Sequence, residues 1–227
     1  MAAWVREQVP DVLAMLHDVE RLLGRSRTFG EQLRGVAVLD RETALRFGAS
    51  GVLLRAAGLP EDLRKRAGYS VYPEIDFDVA VGSVGDGYDR FFVCVEEIRQ
   101  SLRILVQALD RLEALGPGPV RSDDPRLAWP ARRRPFEDPA EMIHHTLGVT
   151  EGPRVAPGET YEAIESATGE LGFYVVSDGS AIPQRVRCRA PGFFHARLLP
   201  GLLTGVRLDA VSATLALLDV TTAECDR

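Results

Sequence analysis

Few residues in this chain could bind a metal or carry out acid–base chemistry. It has four histidines and three cysteines among 227 residues. His144 and His145 are adjacent, and Glu141 precedes His144 by three residues, a spacing that puts Glu141 and His144 on one helix face. Two such groups are only part of a metal site, and the other histidines, His17 and His195, lie far away in sequence. Packing or hydrogen bonding is the simpler role for the pair, and no metal is expected. Cys94, Cys188 and Cys225 are scattered, whereas iron–sulfur ligation and structural zinc use several thiolates, commonly at short spacing. They read as reduced structural thiols.

Charged residues offer more. The motif GDGYDR places Asp86 and Asp89 at the start of an amphipathic run, where Asp86 is suited to cap a helix. An SDG turn at 177–179 is preceded by Tyr174 and followed by Arg185, Arg187 and Arg189. Strand alternation puts the three arginines on one side, facing negative charge. Asp178 lies in that turn, which makes Tyr174, Asp178 and the arginines candidates for an interface. The chain ends DVTTAECDR, which holds Asp219, Asp226 and Arg227.

The elements that must position these residues are mostly helical. Val5, Val9, Val12, Leu16, Val19 and Leu23 alternate steps of four and three, which predicts an amphipathic helix. Pro10 suits only a first turn, so the helix is expected to begin in earnest there and to stop at Gly24. Short helical pieces are expected at Arg41–Phe47 and Glu61–Arg66. The strongest element is a helix from 86 to 114, roughly 43 Å long, with the apolar seam Phe91, Val95, Ile98, Leu102, Leu105, Leu109 and Leu112. A seam of that length belongs to a bundle. Residues 116–135 form a Pro- and Arg-rich connector whose RRR cluster reads as solvated loop. A helix over Phe136–Gly148 follows, then strands Thr160–Ile164, Leu171–Ser177 and Arg185–Arg189 around a DGS turn. Helical patches at Gly192–Leu198 and Leu208–Leu217 close the chain. The reading is one domain, mainly α within an α+β class: a helical part (1–115), the connector (116–135), and a helix, β-hairpin and tail (136–227).

Composition narrows the function. A net charge of −6 argues against nucleic-acid binding. No apolar run approaches the ~18 residues of a membrane span, and the start MAAWVREQVPDVL lacks a signal core. A soluble, cytoplasmic chain is expected. Lys65 is the only lysine among 27 basic residues, which we read as a GC-rich coding bias. No Gly-rich dinucleotide fingerprint follows a strand, so the chain alone should be colourless and inert toward NADH.

The tract Tyr69–Leu112, YSVYPEIDFDVAVGSVGDGYDRFFVCVEEIRQSLRILVQALDRL, and the block Gly169–Phe193, GELGFYVVSDGSAIPQRVRCRAPGF, resemble the C-terminal half of the D-type subunit of the proton-pumping NADH:quinone oxidoreductase, complex I. That family is related to nickel–iron hydrogenase large subunits, and the resemblance implies a hydrogenase-large-subunit-like fold. It runs from about Gly35 to Arg227 and is weakest at Leu198–Leu218. Hydrogenase large subunits of the complex-I-like type end in a pattern similar to D-P-C-x-x-C-x-D/E-R. Aligned on Asp219 and Arg227, the thiolate positions here hold Thr221 and Glu224, and Cys225 is one place off, so no nickel–iron site is expected.

The resemblance further implies a role inside a complex. This chain would carry no cofactor, pack against an Fe–S subunit and other complex I subunits in the peripheral arm, and sit on the cytoplasmic face of the membrane. The quinone cavity would lie at the former metal site, with Asp226, Arg227 and Asp219 near it and Asp86 and Asp89 as second candidates. The β-structured loop with Tyr174, Asp178, Arg185, Arg187 and Arg189 would form the docking interface. The Glu141–His145 helix resembles shared architecture. Family members also have a long N-terminal portion with the histidine and tyrosine that bond the quinone. The expectation is that another chain supplies it, or that this chain is a paralogue acting only as a binding or scaffold module. The helix seams are expected to be completed by helices of that portion.

Overall fold

The structure is a computed structural model that describes residues 2–120, 122, 124, 128, 137–152 and 154–226. It is mainly helical with one small sheet, an α+β fold, and it divides into two compact units. The first holds residues 1–114, 163–172 and 189–227, and the second holds 115–162 and 173–188.

In the first unit, α1 (Ala2–Gly24) and α6 (Gly87–Leu115) lie antiparallel. Arg6 donates to Asp110 and Glu113, each at 2.7 Å, Arg99 pairs with Glu20, and Gly24 faces the ring of Phe92. The buried or half-buried face of α1 is the expected row Val5, Val9, Val12, Leu16, Val19 and Leu23. Its start differs from the expectation: the helix begins at Ala2 and runs through Pro10. Proline removes one hydrogen bond and crowds the preceding turn. Here Pro10 is exposed, and the Arg6 fork holds the first turns on α6.

Asp86 starts α6 as expected, its carboxylate accepting the Asp89 N–H at 2.8 Å. The expected seam, however, divides. Val95 is buried, whereas Ile98, Leu105 and Leu112, spaced by seven, stay exposed in the described structure. The polar side is occupied instead. After a short 3₁₀ turn (Tyr72–Glu74), the extended acidic segment lies along α6. Gln107 and Gln100 accept the N–H groups of Asp76 and Asp78 at 2.9 Å each, while Arg103 and Arg111 pair with Asp76, Asp78 and Glu74. Side-chain amides thus do for this segment what a neighbouring strand would do.

The core packs the short helices α3 (Arg41–Arg46) and α4 (Val52–Ala56) against α9 (Leu199–Leu203) and α10 (Leu208–Leu218), through Ala44, Leu53, Leu54, Leu198, Leu202 and Leu218. Also in this unit are α2 (Arg27–Leu33), α5 (Leu63–Arg66), α8 (Pro191–Ala196) and α11 (Thr222–Cys225). α2, α4, α9 and α11 have four to seven residues, too short to show a repeat in sequence.

The sheet has antiparallel order β1-β2-β3, from β1 (Gly158–Glu165), β2 (Glu170–Ser177) and β3 (Arg185–Arg189). The Asp178 carboxylate accepts the Ser180 N–H, making the expected turn. In the second unit, α7 (Pro139–Thr150) starts three residues later than expected and ends two later. Asp138 caps it by accepting the Ala140 N–H, and Pro139 suits its first position. Phe136, from the expected start, and the RRR cluster lie outside the described residues.

Two glycines bring backbones together in the first unit. Gly51 has φ 62°, and a Cβ there would lie 2.6 Å from the Cα of Gly169. Gly35 has a similar φ of 67° with open space around it. Gly35→Ala should therefore cost only the left-handed strain, about 1–2 kcal/mol. Gly51→Ala should cost clearly more, because it adds overlap with backbone that cannot rotate away. Urea unfolding of the two variants checks this, and equal midpoint shifts would refute it.

Candidate functional site

The GDGYDR corner uses its charges on backbone. Asp86 is buried, and besides capping α6 it accepts the Gly35 N–H at 2.8 Å. Asp89 accepts N–H groups from Ser83, Val84 and Gly85 at 2.7, 2.6 and 3.3 Å. Burial opposes its charge, but these donors prevail and hold the carboxyl below the usual range. Arg90 is fully buried and donates from Nη2 to the carbonyls of Ala37 and Gly85. Burial lowers it to about 10 against the opposing charge of Asp86.

The densest buried electrostatics lie on α4. Arg55 is 1% exposed and joins three parts of the unit. Its Nε donates to Glu97 of α6 at 2.5 Å, and its Nη1 donates to Glu165 of β1 at 2.7 Å and to the Glu61 carbonyl at 2.9 Å. Burial pulls the guanidinium down, but the two carboxylates prevail and raise it. Burial raises Glu97 in spite of Arg55. Glu165 also accepts the Leu63 N–H at 3.1 Å, and buried Asp62 pairs with Arg64. Beside this network opens a cleft of about 350 Å³, with Leu54, Leu59 and Leu63 among its apolar walls and Ser50, Glu61, Glu165 and Glu170 among its polar ones. Neither Arg55 nor Glu165 was among the residues expected to act. The available signal was an arginine inside the apolar run VLLRAAG, because such an arginine must be buried with partners.

The tail ends in this same unit. Asp219 terminates α10 in a left-handed conformation with φ 47° and is exposed. Asp226 is exposed as well, and Arg227 lies outside the described residues. The engaged tail carboxylate is Glu224, which accepts the Gly192 N–H and the Thr168 hydroxyl. Nearby, Arg189 donates to the carbonyls of Glu170 and Gly48 at 2.8 and 3.0 Å and covers the ring of Phe194. In the second unit, Tyr174 donates to Glu159, Asp178 makes the turn, and Arg185 and Arg187 are exposed. The three arginines therefore have different surroundings, with Arg189 bound to backbone inside the first unit. The cysteines form no disulfide with one another. Among the described residues, no three His, Cys, Asp or Glu side chains converge as a metal site.

His195 is 1% exposed, and its Nε2 accepts the Ser50 N–H at 3.3 Å, which puts the proton of the neutral ring on Nδ1. Burial, helped by the charge of Arg189, lowers its pKa from 6.5 to about 4. Between these values the unfolded chain binds the extra proton, so stability should fall as pH drops from 6.5 toward 4, by at most about 1.4 kcal/mol per pH unit. His195→Asn keeps an acceptor for Ser50 without the titration. Its stability should depend less on pH in this window, as read from urea midpoints at several pH values. Parallel profiles for the two proteins would refute the assignment.

Residues 1–227 match the family model of the respiratory-chain NADH dehydrogenase 49 kDa subunit. A D-type subunit of the NADH-quinone oxidoreductase of Sorangium cellulosum is 43% identical over 224 residues, 99% of this chain and 55% of that protein. The corresponding subunit of Methylacidiphilum infernorum is 39% identical over 223 residues, covering 98% of this chain and 53% of its own length. The mitochondrial NADH-ubiquinone oxidoreductase 49 kDa subunit of Neurospora crassa is 42% identical over 212 residues, 93% of this chain and 44% of that protein. The chain thus spans about half the length of the curated relatives it matches. A match along its whole length, with such relatives at about 40% identity, means that the chain belongs to the 49 kDa (D-type) subunit family of respiratory-chain NADH dehydrogenase.

Proposed function

We infer that this chain works as the D-type component of an NADH:quinone oxidoreductase. It packs against an Fe–S subunit, walls part of the quinone cavity and holds no cofactor of its own. Electrons pass from the neighbour's cluster to quinone, and the chain sits in the peripheral arm on the cytoplasmic face of the membrane. The observation that carries this reading is 43% identity, across nearly the whole chain, to a protein named as a D-type subunit of NADH-quinone oxidoreductase.

Features of the two units fit such a role separately. Exposed Arg185 and Arg187 in the second unit suit an acidic docking surface. In the first unit, the exposed Ile98, Leu105 and Leu112 of α6 repeat every seven residues, the spacing with which one helix packs on another. No helix among the described residues is long and apolar enough to cross a membrane, so attachment to the membrane arm would run through partner subunits.

The alternative reading is a binding or scaffold module without electron transfer. Purification of the native respiratory assembly separates the two. The first reading requires this chain at stoichiometric amounts in a quinone-reducing complex; its absence from every such assembly would leave the second. Within the complex, deleting Asp226 and Arg227 should lower quinone reduction while NADH oxidation by an artificial acceptor continues, because the upstream clusters lie in other subunits. Equal loss of both activities would assign the tail to assembly, and no loss of either would remove it from the cavity.

A further inference from the structure

Val220 packs against the core, and beyond it the tail is fastened by a side-chain contact. After α10, the chain passes Asp219 and Thr221, both exposed, and turns through the four residues of α11. Within α11 Glu224 is half-buried, and its two carboxylate oxygens have different partners. Oε2 accepts the backbone N–H of Gly192 at 2.5 Å, and Oε1 accepts the Thr168 hydroxyl at 2.9 Å. Gly192 is the second residue of α8, where Ala190 supplies no side-chain cap, and Thr168 sits in the β1–β2 turn. One side chain thus ties the tail to two elements that are distant in sequence.

The fit depends on a missing methyl group. A Cβ on Gly192 would lie 2.4 Å from Oε2 of Glu224 and 3.0 Å from its Cβ, so only glycine leaves room for the carboxylate. Gly192 is not in the left-handed region, and its lack of a side chain answers to this contact and not to backbone strain. Asp226, beyond the contact, donates its backbone N–H to the Thr222 carbonyl at 3.0 Å.

We propose that Glu224 is a latch: a positioning residue that fastens the C-terminal strap to Gly192 and Thr168 and so sets where the last residues lie. Its effect on quinone rests on the reading above that those residues wall the cavity. The latch itself does not rest on that reading, since it concerns contacts within this chain.

Three variants test it. Glu224→Ala removes the acceptor, Gly192→Ala blocks its seat while keeping the carboxylate, and Glu224→Gln keeps an oxygen for the Gly192 N–H and an amide for Thr168. Hydrogen exchange on the full chain should show the amide at position 192 and residues 221–226 exchanging roughly tenfold faster in both alanine variants, since hydrogen bonds to a carboxylate acceptor are lost. Protection in α6 should be unchanged, which separates release of the strap from general unfolding. Glu224→Gln should restore most of the tail protection. Wild-type tail exchange in Glu224→Ala overturns the latch, and so does loss of protection in α6 along with the tail.

In the assembled complex, the alanine variants should raise the quinone KM more than they lower kcat, with NADH oxidation by an artificial acceptor unaffected. Faster tail exchange with an unchanged quinone KM would keep the latch and overturn the placement of the tail at the cavity.

Discussion

The guanidinium of Arg55 is the charge on which the packing of the first unit turns. It lies inside the apolar helix α4, and each carboxylate that neutralises it comes from a different element, Glu97 from α6 and Glu165 from β1. A buried arginine stripped of its partners would cost several kcal/mol, and removing one partner of a buried pair typically costs about 3–5 kcal/mol. Neither α6 nor the base of β1 can shift without exposing that cost. Glu165 passes the constraint on by accepting the Leu63 N–H, which fixes the start of α5, and the Tyr69 hydroxyl accepts the Glu165 N–H at 3.1 Å. One charge therefore sets the registry of α4, α5, α6 and β1, which hydrophobic contacts alone, being non-directional, would leave loose.

The acidic side chains that matter most in this unit act on backbone. Asp86, Asp89, Glu165 and Glu224 each accept at least one main-chain N–H from a helix start or a turn. A buried N–H without a partner is costly, and short helices create several at each end. A fold assembled from pieces as brief as α4, α5, α8 and α11 needs many such acceptors. This explains why a chain with 33 acidic residues still buries some of them. It also explains the glycines: Gly51 and Gly169 meet backbone to backbone, and a glycine at 192 admits the Glu224 carboxylate.

What could be read from the sequence follows from this construction. The long periodic elements α1 and α6, the three strands and the Asp178 turn were legible, because each repeats a pattern over many residues or uses a strong local signal. The start of α1, both limits of α7 and the short helices α2 and α4 were not. Pro10 lies in a helix whose first turns Arg6 ties to partners more than 100 positions away, and α4 is a five-residue piece held by its buried leucines and by Arg55. The division of the α6 seam was hidden for a related reason. Periodicity identifies an apolar row but not which of its members a neighbour covers, and in α6 the acidic segment 74–78 lies along the polar side while Ile98, Leu105 and Leu112 stay open. Of the candidate site, Asp86 as a cap was legible. The Arg55 network and the role of Glu224 depend on partners 42 to 110 and 32 to 56 positions away, separations that local pattern cannot see.

The resemblance of the tail to that of hydrogenase large subunits implies a position kept while its chemistry changes. By resemblance, Thr221 and Glu224 stand where hydrogenase large subunits carry metal-binding thiolates. Thr221 is exposed and its side chain caps nothing, while Glu224 is turned into the protein. A thiolate at such a place is directed by the bond to its metal, and without a metal that constraint disappears. A carboxylate can take over the fixing of the chain, because it offers two acceptor oxygens that reach different donors. A backbone N–H and a hydroxyl then do what a metal bond would have done, and the end of the chain stays folded back on α8 and the β1–β2 turn. The constraint is weaker than coordination, since two hydrogen bonds open far more readily than a metal–thiolate bond. Val220, just before the strap, packs against the core, so what the two hydrogen bonds of Glu224 hold is the stretch beyond it, from Thr221 to Asp226.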